Sequence, residues 1–92
     1  MIRVKIVPND ISTVAKVVLI DQSKRVLFLK RSDYVVKYAG EWDLPGGHLK
    51  QNESLILGLK REVKEETNLD ISDPVFFLKM DNLNFFYAMY DS

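Results

Sequence analysis

Glu62, Glu65 and Glu66 place three carboxylates within five residues. At i, i+3 and i+4 they share one face if the stretch is helical. Like charges so arranged repel, and something must offset that repulsion. A hard divalent cation such as Mg²⁺ is one solution, because it takes several oxygen ligands at once. With about 100° per residue, the glutamates form a stripe beside the apolar stripe of Leu55, Ile56, Leu59 and Val63, partly overlapping it. Carboxylates pressed toward a core have raised pKa values unless a cation stabilises the charged form. They also lie toward the helix C-terminus, whose dipole favours a cation. Gly58 falls on the same side and costs helix stability, which points to a close approach there. The competing reading is a solvated face stabilised by neighbouring lysines.

The elements that must position these groups are legible as patterns. Residues 2–7, IRVKIV, alternate as a half-buried strand would. Residues 13–20, TVAKVVLI, read as a more buried strand. After the polar turn 21–24, residues 25–30 return as a strand, and the two are expected to form a hairpin. Residues 31–41 read as a loop. Residues 42–44 form a short strand that stops at Pro45-Gly46-Gly47. A helix spans 55–67, with Asn52 or Ser54 as its N-cap. Two aromatic strands, 75–80 and 83–90, are joined by a tight turn at Asp81-Asn82. Strands around one central helix predict an α/β or α+β domain with a mixed sheet.

The chain has 92 residues, enough for one domain over 1–92 and too few for two. Its 13 basic and 13 acidic residues cancel, which argues against bulk nucleic-acid binding. It contains no cysteine, so there is no disulfide framework and no thiolate metal site. A cytoplasmic protein is expected, with no membrane segment, because no apolar run approaches bilayer length and the start lacks a signal-peptide pattern.

From Gly47 to Leu69 the sequence is GHLKQNESLILGLKREVKEETNL. This resembles the Nudix hydrolase motif G-x5-E-x7-R-E-U-x-E-E-x-G-U, where U is a bulky aliphatic residue. Asn68 stands where the family has glycine, and the preceding WDLPGG also resembles the family's lead-in. The resemblance implies a loop–helix–loop on a mixed sheet that cleaves a nucleoside diphosphate linked to another group. By that likeness, Glu62, Glu65, Glu66 and the Gly47 carbonyl would hold Mg²⁺, or Mn²⁺, and Arg61 would orient a carboxylate. The family also places a functional glutamate at Glu53, in metal binding, base catalysis or support of the motif. By projection Glu53 lies well away from the other three and is read as Arg61's partner. Asn68 is read as a left-handed helix stop, a role asparagine tolerates next best after glycine.

Around the motif, Arg31, Lys37 and Trp42 are candidate substrate contacts, although Trp42 also reads as a core residue. Nudix domains usually run well past a hundred residues, whereas this chain stops at Ser92. The resemblance therefore implies a shortened α/β/α sandwich without the usual C-terminal strands and helix. An exposed aromatic strand would follow, so a homodimer paired through the terminal strands is expected. The expected substrate is a nucleoside triphosphate, with ADP-ribose or a dinucleoside polyphosphate next. Two alternatives are an impaired Nudix-like nucleotide-binding module and an oligomeric structural protein.

Overall fold

The computed structural model describes residues 13–30 and 41–90. The strand expected at 2–7 and the candidates Arg31 and Lys37 lie outside the described residues, as does the loop 31–41 apart from Glu41. The elements are β1 (Val14–Ile20), β2 (Leu29–Lys30), β3 (Trp42–Asp43), β4 (Gly46–His48), α1 (Leu55–Thr67), β5 (Val75–Met80) and β6 (Leu83–Met89). Four strands form a sheet in the order β4-β1-β6-β5, and β2 pairs with β3 separately. β1 and β6 are parallel, and the other pairs are antiparallel. This is the expected mixed sheet. A parallel pair needs a crossover, and α1 lies in the one that joins β1 to β6.

Period-two alternation sends Ala15, Val17 and Leu19 of β1 to one face, with Phe86 and Ala88 of β6 beside them. Leu59 and Val63 of α1 complete this core together with Leu49 and Ile71. Leu59 and Val63 are fully buried, and each contributes about 1.5–3 kcal/mol by leaving water. Ile56, expected in the same stripe, is instead exposed. Asn84 is buried on this face, where its Nδ2 donates to Val14 O at 3.2 Å and Asn82 O at 3.3 Å.

The ends of α1 are set by local chemistry. Ser54 is the N-cap, its Oγ accepting from Leu57 N at 3.2 Å. Asn68 sits at φ 62°, ψ 16°, and its N–H donates to Lys64 O at 2.9 Å. That is the left-handed stop expected of it.

Two strand expectations need correction. Residues 25–30 return beside β1 only at its end, around the 21–24 turn, and do not form the full hairpin expected. Leu27 N donates to Leu19 O and Val26 bridges Ile20, but only Leu29–Lys30 is strand, and it pairs with β3. The reason is that Val14–Lys16 on that edge of β1 is taken by β4, leaving only the last residues for a returning chain. Second, Gly46 and Gly47 do not end a strand; they begin β4. Gly46 adopts φ 127°, and a Cβ there would collide with Ala15 O. Glycine in a strand here marks close backbone approach rather than a break.

Candidate active site

β4 runs beneath α1, and two glutamates descend onto its two glycines. Glu66 Oε1 accepts from Gly46 N at 2.8 Å. A Cβ added to Gly47 would lie 2.9 Å from both Cδ and Oε2 of Glu62. Glycine at 47 therefore leaves space that the Glu62 carboxylate uses. Gly58 shows the close approach expected of it. A Cβ there would meet Leu49, and would lie 2.9 Å from Glu53 Oε1.

Arg61 is the hub of the glutamate cluster. Its Nε donates to Glu53 Oε2 at 2.7 Å and its Nη2 to Glu53 Oε1 at 3.0 Å. Nη1 reaches Glu62 Oε1 at 3.1 Å and both Glu65 oxygens at 3.2 Å. Nη2 also donates to His48 O at 3.2 Å. One guanidinium thus joins Glu53 to two of the other glutamates, which corrects the expectation that Glu53 lies well away from them. The projection failed because Glu53 precedes the helix. Lys50 N caps its Oε1 at 2.9 Å, and Asn52 turns the chain at φ 65°.

These partners pull the carboxyl groups in opposite directions. The Arg61 hydrogen bonds, helped by the Lys50 N–H, hold Glu53 down at about 2. Burial pushes Glu66 up from the ordinary value, against the Gly46 N–H and the positive charge of Lys16. Among the described residues, no three acidic or imidazole groups converge closely enough to hold one ion. Glu62 and Glu65 lean toward Arg61, and Glu66 leans toward Gly46. The donor chemistry still suits a hard cation. Glu62, Glu65, Glu66 and the Gly47 carbonyl offer only oxygen, and Glu62 Oε2 lies directly over Gly47.

Trp42 does not pack into the core. It is 66% exposed and, with Val26 and Phe28, lines an open cleft of about 460 Å³. Three residues separate Trp42 from Gly46, so their Cα atoms are at most about 14 Å apart. Phe28 and Val26 were missed in the sequence because their strand pattern suggested a paired hairpin.

Lys16 was missed as well. Its Nζ meets Asp43 Oδ2 at 2.9 Å, Leu44 O at 3.2 Å and Gly46 O at 3.3 Å. A lone charge inside VAKVVLI was the available signal, since a cation in a buried strand needs acceptors.

A model of the NUDIX domain matches residues 11–91. "Nudix hydrolase 8" of Arabidopsis thaliana is 33% identical over 69 residues, which are 73% of this chain and 19% of that protein. The "8-oxo-dGTP diphosphatase" of Buchnera aphidicola is 50% identical over 36 residues, 39% of this chain and 28% of that protein. The crystal structure of a MutT protein from Methanosarcina mazei superposes with TM-score 0.63 at 31% identity, covering 86% of this chain and 60% of that one. The chain thus spans under a third of the length of these two curated relatives. The motif over 47–69, its placement on β4 and α1, and the family match over most of the chain agree: this chain belongs to the Nudix family.

Proposed function

We propose that this chain is a divalent-cation-dependent Nudix hydrolase acting on a pyrophosphate bond of a nucleotide derivative. The observation that carries this reading is the stacking of Glu62 and Glu66 on the Gly47 and Gly46 backbone. Glu62, Glu65, Glu66 and the Gly47 carbonyl would hold Mg²⁺ or Mn²⁺. Bound there, the ion would neutralise the diphosphate and lower the pKa of a water for attack on phosphorus. Arg61 orients Glu62 and Glu65 through charge-assisted hydrogen bonds. Glu53 has both oxygens occupied by N–H donors and is too weakly basic for proton abstraction, so its role is to fix Arg61.

The apolar cleft of Val26, Phe28 and Trp42 suits a flat base near the diphosphate site, in the size range of small-molecule sites. Arg31 and Lys37 remain candidate phosphate contacts. A nucleoside triphosphate is the preferred substrate, with ADP-ribose or a dinucleoside polyphosphate next. The Buchnera relative is an 8-oxo-dGTP diphosphatase, whose substrate is of the same triphosphate class. Assay of a nucleotide panel with Mg²⁺ tests the reading, comparing wild type with Glu65→Gln. Nucleoside monophosphate and pyrophosphate released by the wild type, and lost in the variant, support it. Binding without turnover would favour a nucleotide-binding module, and no Mg²⁺ binding would favour a structural protein.

No helix among the described residues is long and apolar enough to cross a membrane. The reading places the protein in the cytoplasm. It also includes a homodimer. All six β5 residues are exposed, including Phe76 and Phe77, and among the described residues no strand pairs with the outer edge of β5. Phe77 lies beside Tyr87, and with Met89 these residues leave large apolar side chains exposed on β5 and β6. A second copy is the proposed cover. Sedimentation should show a dimer that Phe77→Lys dissociates; a wild-type monomer at micromolar concentration sinks this part.

A further inference from the structure

Lys16 points away from the core, since Ala15 and Val17 on either side of it are buried there. Its side chain is only 14% exposed. An ammonium has three N–H donors and no acceptor, and here it meets one carboxylate and two backbone carbonyls, all within residues 43–46. Asp43 in turn accepts from Leu44 N at 2.8 Å through its other oxygen. Pro45, which has no N–H to give, offers its carbonyl to Val17 N at 2.9 Å. The turn between β3 and β4 is therefore fastened to β1 by this side chain in addition to the Pro45 carbonyl and the β1–β4 backbone pairing.

On its other side the same turn meets α1, where Gly46 N donates to Glu66. Gly46 is thus held at both ends, its carbonyl by Lys16 and its N–H by Glu66. Glycine has the widest backbone freedom of any residue, and at φ 127° Gly46 occupies a conformation that needs outside restraint.

We propose that Lys16 is a positioning residue. Its ammonium clamps the β3–β4 turn and thereby fixes the Gly46 N–H and the Gly47 backbone beneath Glu66 and Glu62. The consequence for a cation rests on the proposed function; the clamp itself does not. The hydrogen bonds of the Lys16 ammonium go to Asp43, Leu44 and Gly46 rather than to a candidate ligand side chain. Its charge is felt at Glu66, and its clamp acts through the backbone on which the ligands stand.

Lys16→Met keeps the stem and removes every donor. Amide hydrogen exchange should then accelerate about tenfold or more at Gly46 while Val63, in the middle of α1, stays within about twofold. Mn²⁺ affinity of the full chain should fall by about 10-fold or more, as for loss of an outer support of a metal site. Lys16→Arg, which keeps a multidentate cation, should recover most of both. Unchanged protection at Gly46 overturns the proposal, and so does equal acceleration at Gly46 and Val63. Should Lys16→Met fail to fold, Asp43→Asn loosens the clamp more gently; Gly46 exchange must still rise, and no change overturns the idea. If wild-type protein binds no Mn²⁺, the metal reading fails, while exchange at Gly46 still decides the role of Lys16.

Discussion

The two ends of the glutamate cluster differ in what surrounds the carboxyl group. At the Glu53 end, Arg61 and the Lys50 N–H occupy both oxygens, and the group is held strongly acidic. At the Glu66 end, Gly46 N is the donor on Oε1, and burial pushes the group the other way. A carboxylate surrounded by donors is a strut, because its charge is already balanced. One that is desolvated with little compensation is poised to take a cation. The difference supports the opposite roles proposed for two glutamates of one motif.

The strongest way to break that contrast is at Glu66. Glu66→Gln removes a carboxylate oxygen from the proposed cation site while its amide oxygen still accepts from Gly46. Turnover should fall on the order of 100-fold or more, and Mn²⁺ affinity should fall with it. The urea midpoint of the protein without metal should hold or rise, because a desolvated charge has gone. A variant with wild-type turnover would remove Glu66 from the site.

Glu53→Gln should do the reverse. It leaves Arg61 without its bidentate partner, so the urea midpoint should drop while turnover stays within about tenfold of wild type. A folded variant with no turnover would show Glu53 to be a catalytic group after all.

Acid should expose the same contrast without mutation. The folded Glu53 pKa of about 2 lies below the ordinary 4.5. Its stabilisation is therefore fully present above about 4.5 and is lost as the pH falls toward 2. The gap in urea midpoint between wild type and Glu53→Gln should narrow across that window. A gap that stayed constant from about pH 6 to pH 2.5 would mean the Arg61 pair contributes no pH-linked stability.

Much of this arrangement was legible in the sequence, and for local reasons. Helix bounds, an N-cap at Asn52 or Ser54, the Asn68 stop and the Gly58 close approach follow from side-chain chemistry within a few residues, and the structure selects Ser54. The Glu53–Arg61 pair was expected from helical projection, although the projected distance of Glu53 from the other glutamates did not hold. What did not show was whatever depended on competition between distant segments. Residues 25–30 had a strand pattern but lost most of the β1 edge to Gly46–His48, which looked like a turn. Trp42 looked like core and stands exposed, because core membership depends on which strands reach the sheet. The directions of the three glutamates were likewise invisible, since Glu62 and Glu65 turn toward the Arg61 guanidinium and Glu66 toward Gly46 N, both set by tertiary placement.

Asn68 offers the smallest and most selective probe. It stands two residues beyond Glu66 and closes the same helix, yet its contact there is a backbone N–H to Lys64 O. Glycine at φ 62° would relieve the steric cost of the asparagine Cβ but would add freedom to the unfolded chain. The two effects oppose, so Asn68→Gly should shift stability by less than about 1 kcal/mol. Because the backbone path is kept, the Glu66 carboxyl stays where it is and Mn²⁺ affinity should change less than about threefold. A larger change in affinity at constant stability would mean that the helix end itself, rather than the desolvated Glu66 side chain, sets the cation site. The contrast between Glu53 and Glu66 would then be one of backbone placement and not of solvation.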